Sequence, residues 1–564
     1  FLKPTNARSN FLCQISGIHM SLKSSFSLSY RSLNKTDRLW AIVLFIILIA
    51  VTSLYFLNAS RLNPTGNFST YADDTYIHLR FAHNLANGWG IVWNQGEQPV
   101  EGSTSFFYLL MITMIEKLGV QPIWTLAYIC AIFAALAFLV TLIVLQKINS
   151  EHLFENLAAV IMLGLSSRIM VWANTGLEVT LYAFALALCA LLYIMYRAGS
   201  ISPYIVGLAF AVTSFIRPEC LAIFGVTVAF ELCTIYLSGT KKYQPIFALV
   251  GSFLIIYLPV FLWKWSYFGY PFPNTYYAKT GGGLIQIAAG LAYLRTNLIE
   301  TFIPSGLLMV IFLVTMKKDA YFLEKLYLLI VLLSSWLIVA MNGGDYMLKG
   351  RFLTPMFPIL YILVGLGISQ LTDRISRSYR PILISGLLLL SFSLWYIEKP
   401  IVKNYADKPF PSAKANKPRE IVSTPEFVAI GRALHEIAQP GDSIALVPIG
   451  AIGYYSGMDV YDMVGLVDET IAHEPFAQEF IKESWRPGHD KGDGSYILQR
   501  EPTYILIVDR LTDEPLPGVD DWALQYKSVV EIWNSPLFQE QYQFCPIKTK
   551  GWYINLYCRN GSTP

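Results

Sequence analysis

Charge is what this sequence lacks. Only 14% of its 564 residues are Asp, Glu, Lys or Arg, against about 25% in an ordinary soluble domain. The shortage is regional. Residues 40–397 form a series of apolar runs with short polar breaks, whereas 398–564 have ordinary soluble composition. That distribution excludes a single soluble globule and indicates a polytopic α-helical membrane domain followed by a C-terminal globular domain; a mean hydropathy of +0.45 agrees. The net charge of +3 comes with no basic stripe and interleaved aromatics, so no nucleic-acid partner is expected. Cysteine is sparse as well. Cys130, Cys189, Cys220 and Cys233 lie in or beside apolar runs and read as small apolar fillers. Cys545 and Cys558 have neither a His nor a second Cys at ligand spacing, which argues against zinc. Gly450-Ala451-Ile452-Gly453 follows a strand-like run but lacks the full glycine pattern of a nucleotide loop.

A cleavable leader is not expected either. No small-residue cleavage site follows the first apolar run, and that run is close to full span length. Residues 1–39 carry six Lys and Arg before and around a lone acid, Asp37, and read as a cytoplasmic tail ahead of a retained span, with Met20 the expected initiator. Eleven spans follow, near 40–57, 123–146, 157–172, 179–196, 203–216, 221–238, 246–264, 302–316, 322–341, 355–371 and 381–397. Phe106–Ile115 is too short to cross and reads as interfacial or re-entrant. With this count the basic clusters, including Lys241-Lys242, Lys317-Lys318, and Arg374, Arg377 and Arg380, all fall on one side, as the positive-inside rule requires. The C-terminal region, 398–564, then lies outside. There Ser443–Val447, Asp459–Leu466 and Tyr504–Val508 are strand-like runs between helical pieces, a pattern for a small α/β domain with a partly parallel sheet. An exported position would put Cys545 and Cys558 in an oxidising compartment, where they are expected to form a disulfide.

The outer side collects the unusual residues. In the first outer loop, 58–122, Asp73 and Asp74 stand at the mouth of the membrane domain, where carboxylates are costly and therefore functional candidates. Ile77, Phe81 and Leu85 fall four apart, so 74–87 reads as an amphipathic helix lying along the surface, stopped by Gly88. Asp73 as an N-cap and Asp74 as a first-turn dipole partner is the competing account; a catalytic role for at least one is preferred, with Asp73 the expected base. Arg217, Lys279, Lys349 and Arg351 occupy loops from which the insertion rule depletes cations. Each alone is explained by a salt bridge to Glu178, Glu219 or Asp345, or by snorkelling. As a set on one face they point to a phosphate group.

Tyr71-Ala72-Asp73-Asp74, Asn84-Leu85…Gly88, Gly96-Glu97 and Glu101-Gly102-Ser103-Thr104-Ser105 together resemble the first outer loop of GT-C membrane glycosyltransferases, and more closely that of the mycobacterial terminal arabinofuranosyltransferases and their bacterial relatives. Thr175-Gly176-Leu177-Glu178, Arg217-Pro218-Glu219, Pro273-Asn274-Thr275, Gly343-Gly344-Asp345 with Arg351-Phe352, Asp462…Gly465-Leu466…Asp468, and Pro487-Gly488-His489 followed by Asp490 and Lys491 extend the likeness, in order, over roughly residues 40–510. The resemblance implies an inverting glycosyltransferase that moves a sugar from a polyprenyl-phosphate donor to an envelope glycan or glycolipid, in the bacterial inner membrane. It implies a loop Asp at Asp73 or Asp74 as base, phosphate binding by Arg351, Lys279, Arg217 and Lys349, and substrate contacts from Arg80, Glu101, Glu178, Asp345 and His489. Pentoses and hexoses are both open as the sugar, and so is a divalent metal. A lipid-linked-sugar transporter and a non-enzymatic assembly protein are the competing classes. A transporter places its polar site near the bilayer midplane, whereas here the polar residues gather at the outer ends of the spans.

Overall fold

The structure is a computed structural model and describes residues 35–62, 71–240, 242–347, 349–406, 424–476 and 485–562. The proposed initiator and most of the basic tail lie outside the described residues. Among the described residues nine helical segments are long and apolar enough to cross a membrane, and two shorter apolar helices, Leu153–Gly164 and Pro203–Ile216, pack among them. This is a multi-pass membrane protein. Local chemistry sets many helix ends. Pro122 opens one span at its first turn, and Ser202 caps Pro203–Ile216 by accepting the Tyr204 amide. The span expected near 302–316 begins much earlier. Gly283–Thr301 is already helical, a non-helical Ile303 interrupts the run, and Leu307–Thr315 continues it. Thr296, Asn297 and Glu300 break the apolar pattern there, but Asn297 is buried and bonds Arg168, so a polar residue inside the packing masked the helix.

The C-terminal region is built on a mixed six-stranded sheet of β1 (Ser443–Leu446), β2 (Asp459–Asp462), β3 (Tyr504–Thr512), β4 (Tyr542–Phe544), β5 (Ile547–Thr549) and β6 (Trp552–Arg559). The order is β2-β1-β3-β6-β4, with β5 also on β6. The first three strands are parallel, and β6 runs antiparallel to β3, β4 and β5. All four residues of β1 are buried, which explains its unbroken apolar reading. Cys545 and Cys558 are joined by a disulfide, with Cα atoms 5.8 Å apart.

The helix Asp73–Ala86, called here the acidic helix, is not a surface helix. Tyr76, Ile77, Leu79, Phe81 and Ala82 are all buried. The helix Phe106–Lys117 lies on one side, and a helix of the α/β domain, Ile449–Ser456, packs on the other. The rest of the first loop docks on the same domain. Asn94 bonds both backbone groups of Val460, accepting its N–H at 2.9 Å and donating to its carbonyl at 3.0 Å, and the Trp93 indole donates to that carbonyl too. Val460 is on β2, the edge strand. Asn274 does similar work from another loop, donating to the carbonyls of Gly465 and Leu466.

Candidate active site

The first turn of the acidic helix sends its two carboxylates in different directions. The Asp73 carboxylate accepts the backbone N–H groups of Gly450 (3.0 Å) and Ala451 (2.8 Å), the first turn of helix Ile449–Ser456. Burial pushes its carboxyl up to about 7 against the opposing pull of those amides. Asp74 accepts from Arg351 Nη1 at 2.7 Å. Burial raises its pKa, but the charges of Arg351 and Lys279 outweigh that and hold it below the ordinary carboxylate range. Arg351 is shared, since its Nε and Nη2 bond Asp345 at 2.7 and 3.1 Å.

Two cavities meet at Asp74. The first, of about 330 Å³, faces the membrane helices and is lined by Asp74, His78, Glu178, Arg217, Lys264, Lys279 and Arg351. Its cations differ in a way that decides their roles. Arg217 is held between Glu219 (2.6 Å) and Glu178 (2.8 Å) and stacks on Phe352, so it has no free fork for a phosphate. Lys264 pairs with Glu101. Lys279, among the described residues lining this cavity, is the cation with neither a hydrogen bond nor an ion pair. Burial and the Arg351 charge push its pKa down against the opposing pull of Asp74 and Asp345.

The second cavity, of about 430 Å³, lies between the acidic helix and the α/β domain. Asp73 and Asp74 form its floor, and Trp172, Phe427, Trp522 and Tyr526 supply ring faces, with Arg486 and His489 as polar groups. The His489 pKa is lowered to about 4 by burial and then by the Arg486 charge, so the ring is neutral at neutral pH.

Several expected site residues stand elsewhere. Lys349 bonds Glu398 at 2.8 Å beside Ser167 and Arg168, in a separate crevice, because the left-handed backbone at Lys349 turns it from the Arg351 cluster. Arg80 faces neither cavity. It donates to the carbonyls of Trp93, Gly453 and Met458 and to Asn94, with its guanidinium over the Trp93 ring. Glu101 and Asp345 line neither cavity; Glu101 pairs with Lys264 and Asp345 with Arg351. Glu178 does line the cavity but is paired with Arg217. Sequence reasoning missed Lys264 and the aromatic wall. A lone Lys within the apolar run Gln244–Phe268 was the available signal for the first; the rings of the wall come from three distant segments and left none. Among the described residues no group of three or more His, Cys, Asp or Glu side chains is placed to hold a metal ion.

The chain is similar in structure to ArnT from Cupriavidus metallidurans bound to undecaprenyl phosphate, with a TM-score of 0.51 over 78% of this chain and 88% of that one, at 13% sequence identity. The fold is that of the GT-C membrane glycosyltransferases. The apo form of the same ArnT aligns over 76% of this chain and 86% of that one, at 13% identity and a TM-score of 0.46. Residues 417–554 match a family described as a domain of unknown function, DUF8728. No curated protein matches the sequence.

Proposed function

We propose that the protein is an inverting glycosyltransferase that uses a polyprenyl-phosphate sugar and delivers it to a glycan or glycolipid of the cell envelope, from a site on the outer side of the inner membrane. The observation that carries this reading is one carboxylate, Asp74, set between a membrane-side cavity holding an unpaired lysine and an aromatic cavity under the α/β domain. The likeness to a protein crystallised with undecaprenyl phosphate supports the class of donor.

In this reading the donor's phosphodiester lies against Lys279, with Arg351 beside it, and the acceptor enters the aromatic cavity. The acceptor hydroxyl gives its proton to Asp74 as its oxygen bonds the anomeric carbon. The bond from that carbon to the phosphate oxygen breaks, its electron pair leaves with the polyprenyl phosphate, and the extra negative charge develops beside Lys279. Phosphate departs without an acid's help, so one carboxylate suffices where glycosidases use a pair. A single displacement inverts the anomeric centre. Asp74 is ionised at neutral pH, as a proton acceptor must be, whereas the oxygens of Asp73 face two amides.

The test is sugar transfer from radiolabelled polyprenyl-phosphate sugars by membranes containing the protein. Asp74→Asn should slow it by roughly 10²–10⁴-fold, the usual worth of a general base. Transfer at the wild-type rate by folded Asp74→Asn protein rules the reading out.

A further inference from the structure

The acidic helix grips the helix Ile449–Ser456 at both ends. Asp73 takes the amides of Gly450 and Ala451 at its start. Seven residues on, Arg80 donates to the carbonyl of Gly453 and, at 3.0 Å, to that of Met458 just past its end. Free amides at one end of the helix and carbonyls at the other therefore each find a side-chain partner on the acidic helix. The two helices approach so closely at Gly450 that a Cβ there would lie 2.1 Å from the Asp73 carbonyl oxygen, a contact only glycine permits. The gripped helix continues from Val447 and Pro448, which with Ile449 form part of the wall of the aromatic cavity.

We infer that Asp73 and Arg80 are positioning residues: together they clamp the α/β domain onto the membrane domain and so hold the acceptor cavity in its binding shape. The inference rests on the transferase reading for what the cavity binds, and on geometry alone for the clamp. Asp73→Asn replaces one accepting oxygen by an NH₂ group turned toward an amide donor. Leaving a buried amide without its acceptor changes a local equilibrium roughly tenfold.

Two measurements on the full chain in lipid nanodiscs test it. In hydrogen exchange, Asp73→Asn and Arg80→Gln should each speed exchange across residues 449–456 about tenfold, and Asp74→Asn should leave it unchanged. In steady-state transfer, Asp73→Asn should raise the acceptor KM by a similar factor with the donor KM and kcat nearly unchanged, the reverse of Asp74→Asn. Gly450→Ala, which alters no charged group, should reproduce the Asp73→Asn pattern from the other side of the contact. Unchanged exchange in Asp73→Asn overturns the clamp, and a fall in its kcat with acceptor KM unchanged makes Asp73 part of the chemistry instead. If the wild-type chain transfers no sugar, the transferase reading falls, while the exchange result still decides the clamp.

Discussion

At the scale of single residues, the cations show how pairing separates roles that charge alone does not. Arg217, Arg351, Lys264 and Lys349 each have a carboxylate partner. Lys279 has none, so its charge is available to a ligand. Lys279→Gln removes that charge from the place where the transferase reading seats the donor phosphate, and a hydrogen bond to a charged group is worth about 1.5–3 kcal/mol. The donor KM should rise at least tenfold while acceptor KM and fold hold, readable in the same transfer assay; an unchanged donor KM would place the phosphate elsewhere. The sequence showed an excess of cations in the loops expected to face outward, and the salt-bridge account offered for each describes Arg217 and Arg351 in part. Which cation would be left over was not legible, because the partner of each comes from a segment far away in the chain. The Asp pair behaves likewise. Its importance was visible locally, but the division between Asp73 and Asp74 depends on Gly450, some 377 positions further along.

At the scale of elements, long apolar runs announce themselves because a helix must satisfy its own backbone in lipid and expose apolar side chains to it. Most spans were therefore readable from length and hydropathy alone, as were the three parallel strands. Elements whose stability comes from tertiary partners were not. Gly283–Thr301 hides a buried Asn. β4 and β5 have three residues each and are defined by pairing with β6 rather than by any periodicity of their own. The acidic helix was legible as a helix but misplaced on the surface, since its second covering comes from the α/β domain. Several short motifs read as site signatures, Asn274 and Gly465-Leu466 among them, serve instead to dock one domain on the other.

At the scale of the whole molecule, both cavities lie at the end of the membrane domain that bears the α/β domain, and the transferase reading requires that end to face away from the cytoplasm. The polar loop at Lys317-Lys318 is expected on the opposite side. Reporter fusions there should read as cytoplasmic, and fusions at the C-terminus as exported; a cytoplasmic C-terminus would part the site from an exported acceptor. The edge of the sheet carries a further consequence. Among the described residues β2 has a strand neighbour on one side alone, and Asn94 from the first loop occupies backbone groups on its other side. Cut away from the membrane domain, the α/β domain carries a bare edge ready to recruit a strand from another copy. Residues 417–564 produced alone should therefore self-associate, and light scattering showing a stable monomer would refute this. The membrane part is thus also a chaperone to its own appendage, guarding an edge that no strand among the appendage's described residues covers.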